Sequence, residues 1–298
     1  MAEINYSVII PHKNRQNLLQ RCIESLPKRD DMQVIIVDDK SDPNIVDFKH
    51  LYGFKNSHTD VILTNKGKGA GYARNIGLDH AKGKWILFAD SDDIYLDNLS
   101  EVMNQYVDSK ADMVIFKLKT VDSNGIEIPS HRSSIFDNLQ NYDNYDHILY
   151  KYYCPVGRFI KRSIIESNHI RFQEVKYSND VLFAIRTALA SKNVVMANTA
   201  IYCVYEYPNS LVRNNRLMNY IVRSNVALQS YTILSQHGKG HLVVYNWEYW
   251  WKKLYKKNRL IALVLWPKAV LTLPRNASIV LGDSLKKDFF SLLRTIKK

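Results

Sequence analysis

Asp90-Ser91-Asp92 is the segment whose residue types and spacing point most directly to chemistry. It follows Trp85-Ile86-Leu87-Phe88-Ala89, an apolar run that reads as a buried strand. Two carboxylates one residue apart, in a short turn that aims both at a common point, would supply part of a hard oxygen shell. Completed by diphosphate oxygens and water, that shell suits Mg2+ or Mn2+. The plain alternative is a helix start, because Asp and Ser both cap helices well. A second acidic pair, Asp38-Asp39, also follows an apolar run, Val34-Ile35-Ile36-Val37.

The stretch Gly69-Ala70-Gly71-Tyr72-Ala73-Arg74-Asn75-Ile76-Gly77 offers the complementary chemistry. Glycines ahead of a helix allow close backbone approach and leave N–H groups facing an anion. Arg74, on the first turns, adds a charge-assisted contact for phosphate. Helix capping and tight packing would explain the same glycines. The stretch is not a Walker A loop, since no Gly-Lys-Ser/Thr follows, and not a dinucleotide fingerprint, since it does not follow the first strand.

These residues need a scaffold. Tyr6-Ser7-Val8-Ile9-Ile10-Pro11 reads as a strand, and Asn14 as the cap of a helix carrying Leu18, Leu19, Cys22, Ile23 and Leu26. Further strands fit 34–37, 61–64, 85–89 and 112–121, and helices fit 70–81, 97–110 and 179–191. Buried strands alternating with amphipathic helices predict an α/β fold: a Rossmann-like, mostly parallel sheet flanked by helices. Ligands in such sheets sit beyond the carboxyl ends of the strands, where both acidic clusters fall. The polar segment from Asp122 to Asp146 reads as an acceptor or lid loop. From about Asn214 the pattern is helical, with breaks at His237-Gly238-Lys239-Gly240, Pro267 and Pro274. Two domains follow: a catalytic domain at 1–212 and a helical, basic C-terminal region at 213–298.

Charge is distributed unevenly over the 298 residues. From Arg213 to Lys298 sixteen Lys and Arg face three acids, giving +13, whereas the earlier 25 basic and 26 acidic residues give −1. Around Trp247 to Arg259 the aromatic residues Trp247, Trp251 and Tyr255 fall on one side with Leu254 and Asn258. Lys252, Lys253, Lys256 and Lys257 fall largely on another. Such a helix suits the interface of an anionic membrane, and packing of its apolar side on protein is the alternative. The three cysteines lack metal spacing and read as inert thiols in a reduced compartment. No leader-like or membrane-spanning run is visible, so a cytoplasmic protein, peripheral on the cytoplasmic face of the inner membrane, is expected.

Four motifs occur in order: Ser7-Val8-Ile9-Ile10-Pro11, Ile35-Ile36-Val37-Asp38-Asp39-Lys40-Ser41-Asp42, Ala73-Arg74-Asn75-Ile76-Gly77 and Leu87-Phe88-Ala89-Asp90-Ser91-Asp92-Asp93. Together they resemble the family 2 glycosyltransferases of GT-A fold, the class that builds many bacterial surface polysaccharides. The resemblance implies an inverting transferase that moves a sugar from a nucleoside-diphosphate donor, typically a UDP-sugar, to a saccharide or lipid-linked saccharide acceptor. It implies that Pro11 lines the nucleotide pocket, that Asp39 accepts a hydrogen bond from the base, and that Asp38 supports that loop. It places Arg74 near the ribose or diphosphate, Asp90 near the ribose and the metal, and Asp92 on the Mn2+ or Mg2+. Tyr177-Ser178-Asn179-Asp180-Val181 has the character of the family's catalytic-base segment, with Asn179 in place of the usual Glu, which makes Asp180 the base. His12-Lys13 departs from the family's small residue and Tyr, so stacking on the base is absent and Lys13 is instead expected to reach a phosphate. A sugar nucleotidyltransferase is the runner-up, opposed by the lack of a glycine-rich loop after the first strand. Nucleic-acid binding by the basic tail ranks below both, since it leaves the acids at the strand ends unexplained.

Overall fold

The computed structural model describes residues 3–48, 58–136, 143–207, 216–242 and 247–272. The chain divides into two compact units, Met1–Val212 and Arg213–Lys298.

The first unit is built on an eight-stranded mixed sheet. Its strands are β1 (Tyr6–His12), β2 (Met32–Asp39), β3 (Thr59–Thr64), β4 (Trp85–Phe88), β5 (Ile94–Tyr95), β6 (Met113–Asp122), β7 (Arg158–Lys161) and β8 (Val194–Glu206). Their order across the sheet is β3-β2-β1-β4-β7-β6-β8-β5. Its helices are α1 (Gln16–Glu24), α2 (Ala70–His80), α3 (Leu99–Tyr106), α4 (His131–Ser134), α5 (Asp143–Lys151), α6 (Arg162–Ser167) and α7 (Val181–Ala190). Every residue of β1, β2 and β4 is buried, which is why these strands read as continuous apolar runs: both faces of the sheet are covered.

The strands β3, β2, β1 and β4 are mutually parallel, and the chain lays β2 on one side of β1 and β4 on the other. This is a topological switch point, where a crevice opens beyond the strand ends. Pro11 marks its edge. The carbonyl of Ile9 accepts the N–H of Ala89, 3.1 Å away, so residues 9 and 11 both turn their backbone groups toward β4. The ladder with β4 ends at Ile9–Phe88, because Pro11 has no N–H to continue it.

The sheet is mostly parallel, as expected, with six of its eight strands running the same way and β7 and β5 reversed. β7 runs antiparallel to both β4 and β6, and β5 antiparallel to β8, while β6 and β8 are parallel. The segment read as a lid loop contains the whole of α4 and the start of α5, with 137–142 outside the described residues. Asn14 is not the helix cap. It adopts φ 53° and its side chain accepts the N–H of Asp42 at 2.7 Å, leaving Arg15 as the residue before α1.

The second unit contains α8 (Leu217–Gln236), α9 (Trp247–Lys257) and α10 (Arg259–Thr272). Tyr220, Ala227, Leu228, Trp251, Leu254 and Ala262 form its core. Trp251 Nε1 donates to the carbonyl of Ala262 at 3.0 Å. Trp251 and Leu254 are therefore turned into their own helical unit, with Tyr255 packed against it, while Lys252, Lys253, Lys256 and Lys257 are exposed. Pro267 does not break the chain as expected but lies within α10, and Pro274 is outside the described residues. Among the described residues, no helix is long and apolar enough to cross a membrane.

Candidate active site

The crevice beyond β1, β2 and β4 gathers most of the residues singled out above. Asp38, at the end of β2, is consumed in holding this region together. Its Oδ1 lies 2.9 Å from His12 Nδ1, and its two oxygens accept the hydroxyl and the backbone N–H of Ser41 at 2.5 and 2.8 Å. The N–H of Arg15 donates to His12 Nε2 at 3.1 Å, which leaves the ring proton on Nδ1, facing Asp38. Burial pushes the Asp38 carboxyl up, but the hydrogen bonds from His12 and Ser41 outweigh it and hold the group below its ordinary range.

Asp39 faces the glycine-rich stretch. Its oxygens accept the N–H groups of Lys68 at 2.9 Å and Gly69 at 2.7 Å, and Lys13 Nζ stands 3.9 Å away, half exposed. The anion met by these N–H groups is thus the protein's own carboxylate. The glycines serve geometry: Gly69 has φ 98°, and a Cβ on Gly71 would overlap the backbone carbonyl of Gln173. Gly71→Ala is expected to lower stability by about 2 kcal/mol, because overpacking against backbone has no flexible neighbour to relieve it. Chemical denaturation of the variant beside wild type measures the loss.

Arg74 stands at the centre of the crevice. It is buried, with Nη2 2.5 Å from Asp90 Oδ1, Nη1 2.8 Å from Asn179 Oδ1, and its guanidinium 5.2 Å from the Phe172 ring centre. One side chain thereby joins the helix after the glycines, the acidic turn and the segment before α7. Asn179, where the family pattern has Glu, is the neutral acceptor on that arginine.

The acidic turn splits three ways. Asp90 is half exposed on Arg74. Asp92 Oδ2 accepts from Arg15 Nη1, and its backbone carbonyl accepts from Arg21 Nη2. Asp93 is buried away from the crevice, taking the Tyr202 hydroxyl at 3.1 Å and the N–H of Tyr205 at 2.8 Å. Tyr202 also accepts the N–H of Asp90 at 2.8 Å, so β8 fixes the turn from behind. Burial, then the neighbouring carboxylates, pushes Asp93 well above its ordinary value; burial and Asp90 also raise Asp92, against the pull of Arg15.

Asp180 precedes α7 and makes no capping bond to it. Burial raises its carboxyl, Arg74 opposes this, and Asp90 adds to it. Arg132, which the sequence did not single out, and Cys154, read there only as an inert thiol, belong to the same neighbourhood. Arg132 on α4 feels Cys154, Glu206 and Asp93, and the Cys154 thiol, pushed up to about 11 chiefly by burial, feels Asp90 and Asp180. The polar 122–146 segment thus brings a cation toward Asp180. Arg15, Arg21 and Tyr202 were also missed, since a lone Arg or Tyr far along the chain carries no local signal.

Among the described residues no group of three or more His, Cys, Asp or Glu is disposed to hold a metal ion. The protein's share would be the carboxylates of Asp90 and Asp92. Two carboxylates would be only part of the oxygen shell of a hard divalent cation, with diphosphate oxygens and water as the rest.

Residues 7–168 match the family model Glycosyl transferase family 2, more than half of the chain. The chain belongs to glycosyl transferase family 2. This family 2 member is 32% identical over 201 residues to the poly(ribitol-phosphate) β-N-acetylglucosaminyltransferase TarP of Staphylococcus aureus, covering 63% of this chain and 58% of that protein. It is 30% identical over 196 residues to the poly(ribitol-phosphate) β-glucosyltransferase of Bacillus spizizenii, covering 63% of this chain and 30% of that protein. Its fold is the GT-A fold of S. aureus TarS. The crystal structure of TarS 1–349 with UDP-GlcNAc has a TM-score of 0.62 at 23% identity, over 85% of this chain and 71% of that one. A second TarS crystal structure reaches 0.66 at 22% identity, over 92% and 50%.

Proposed function

We propose that this transferase moves a sugar from a UDP-sugar, UDP-N-acetylglucosamine in the first instance, onto a saccharide, polyol-phosphate or lipid-linked acceptor of a surface polymer. The observation that carries the reading is Arg74, a buried cation set at the carboxyl ends of the strands between Asp90 and the segment bearing Asp180. Its relatives act on poly(ribitol-phosphate) by name, and a TarS crystal structure holds UDP-GlcNAc.

Asp39 and Lys13 border the nucleotide end of the crevice and Arg74 the diphosphate. Arg74 stabilises the negative charge that develops on the leaving diphosphate. Asp180, raised by burial, takes the proton of an acceptor hydroxyl as that oxygen attacks the anomeric carbon from the opposite face. One displacement inverts the anomeric centre, and no second carboxylate is needed as nucleophile. Asp90 and Asp92 would hold Mn2+ or Mg2+, which supplies further charge neutralisation at the diphosphate when bound. The test is to incubate the full chain with UDP-sugars and acceptor, and to follow UDP release and the product's anomeric proton by NMR. Release of pyrophosphate, or a product of retained configuration, would refute the reading.

We also place the second unit at an anionic membrane surface. Lys252, Lys253, Lys256, Lys257 and Arg259 are exposed there, and Leu260 and Val264 are 68% and 77% exposed. Basic side chains beside exposed apolar ones favour acidic headgroups. The chain is expected to co-sediment with phosphatidylglycerol vesicles but not with phosphatidylcholine vesicles, and to lose that binding at high salt.

A further inference from the structure

The crevice answers its two candidate metal-binding carboxylates in different ways. Asp90 is matched by Arg74, whose side chain is only 7% exposed and which Asn179 and Phe172 also hold. Asp92 is matched by Arg15, whose side chain is 45% exposed and whose guanidinium has no other polar partner among the described residues. Helix α1 grips the same turn a second time through Arg21, and that grip is fixed. Arg21 donates to the Asp92 backbone carbonyl, lies 3.8 Å over the Tyr205 ring and bonds the Tyr207 hydroxyl at 3.2 Å. The turn therefore keeps its place without Arg15. The carboxylate of Asp92, partly buried beside Asp90, needs a positive neighbour in either state.

We propose that Arg15 is a displaceable counter-ion: it holds Asp92 in the ligand-free site, and a divalent cation reaches Asp92 only as Arg15 leaves, its guanidinium then turning to the donor's diphosphate. The inference rests on the donor-site reading given above. One exposed ion pair is a weak hold, which is what a displaceable partner requires. The arrangement would keep the carboxylate neutralised before the donor arrives and couple cation binding to donor binding.

The test is Mn2+ binding to the full chain without nucleotide, followed by the electron paramagnetic resonance of the free ion, in wild type, Arg15→Gln, Arg15→Lys and Asp92→Asn. Arg15→Gln is expected to bind Mn2+ roughly fivefold tighter than wild type, the equilibrium factor of a half-exposed ion pair. Arg15→Lys should stay near wild type and Asp92→Asn should fall below it, with the melting temperature of Arg15→Gln unchanged. Arg15→Gln binding no tighter than wild type, while Asp92→Asn binds more weakly, would overturn the displaceable counter-ion and leave the cation site standing. Equal binding by wild type and Asp92→Asn, both without nucleotide and with saturating UDP, would remove the cation site itself, and the inference with it.

Discussion

Replacing Asp180 by asparagine is expected to lower the transfer rate about a thousandfold, within the range that a positioned general base supplies, while UDP binding is unchanged. The geometry separates the two effects. Asp180 stands ahead of α7 and makes no capping bond whose loss would unravel the helix. Its carboxyl is raised by burial, so in wild type the rate should fall with decreasing pH through a limb above the ordinary carboxylate range. That limb should vanish from the residual rate of the variant. The sign for stability is opposite. A carboxyl whose pKa is raised on folding binds protons more tightly in the folded state, so ionising it at neutral pH costs stability. Asparagine avoids that cost, and the variant should melt no lower than wild type. Inactive, stable and still binding UDP is the signature to look for in rate, melting and calorimetric measurements.

Arg74→Ala should fail differently. It removes the cation proposed for the diphosphate, and losing one such charge-stabilising group costs on the order of a hundredfold to a thousandfold in kcat/KM. It also leaves Asp90 and Asn179 without their partner. With Arg74 buried but Asp90 38% exposed, the structural cost is discounted to about 2 kcal/mol. Because Arg74 lowers the carboxyl of Asp180, its loss should push the acid limb of the remaining activity upward in pH. Arg74→Lys should not rescue, since a point charge cannot serve Asp90, Asn179 and Phe172 together. A pH–rate profile beside a denaturation curve distinguishes this double effect from simple misfolding.

The parts of this fold that were legible in sequence are those with one signal per residue. β1, β2 and β4 are buried on both faces, so their apolar runs could only be strands at the centre of a sheet. The ends of those strands then located Asp39 and Asp90. β7 was illegible because its four residues, Arg158-Phe159-Ile160-Lys161, begin with a buried arginine and pair with strands far away in the chain. β8 hid for another reason: its first half alternates irregularly through Asn198-Thr199, where the ladder with β6 slips register.

The glycine-rich stretch shows how a motif can be seen and still be misread. Its N–H groups do meet an anion, but the anion is Asp39, and Gly71 is required by a carbonyl a hundred residues on. The aromatic side of α9 likewise fitted a membrane or a protein core equally well from spacing alone, and Trp251 and Leu254 are in a core. What no local pattern could reveal is the set of partners brought by the fold to the acidic turn: Arg15 just before α1, Arg21 on it, and Tyr202 and Tyr205 from β8.

The central claim is that the crevice between β1 and β4 is a nucleotide-sugar site. Its most direct test is isothermal calorimetry of the wild-type chain with UDP, GDP, ADP, CDP and dTDP, each in the presence of Mn2+. Saturable binding of one nucleoside diphosphate, UDP, is expected, with the other nucleotides much weaker. Absence of binding by every nucleoside diphosphate would contradict it, and so would UDP binding that survives Arg74→Ala undiminished.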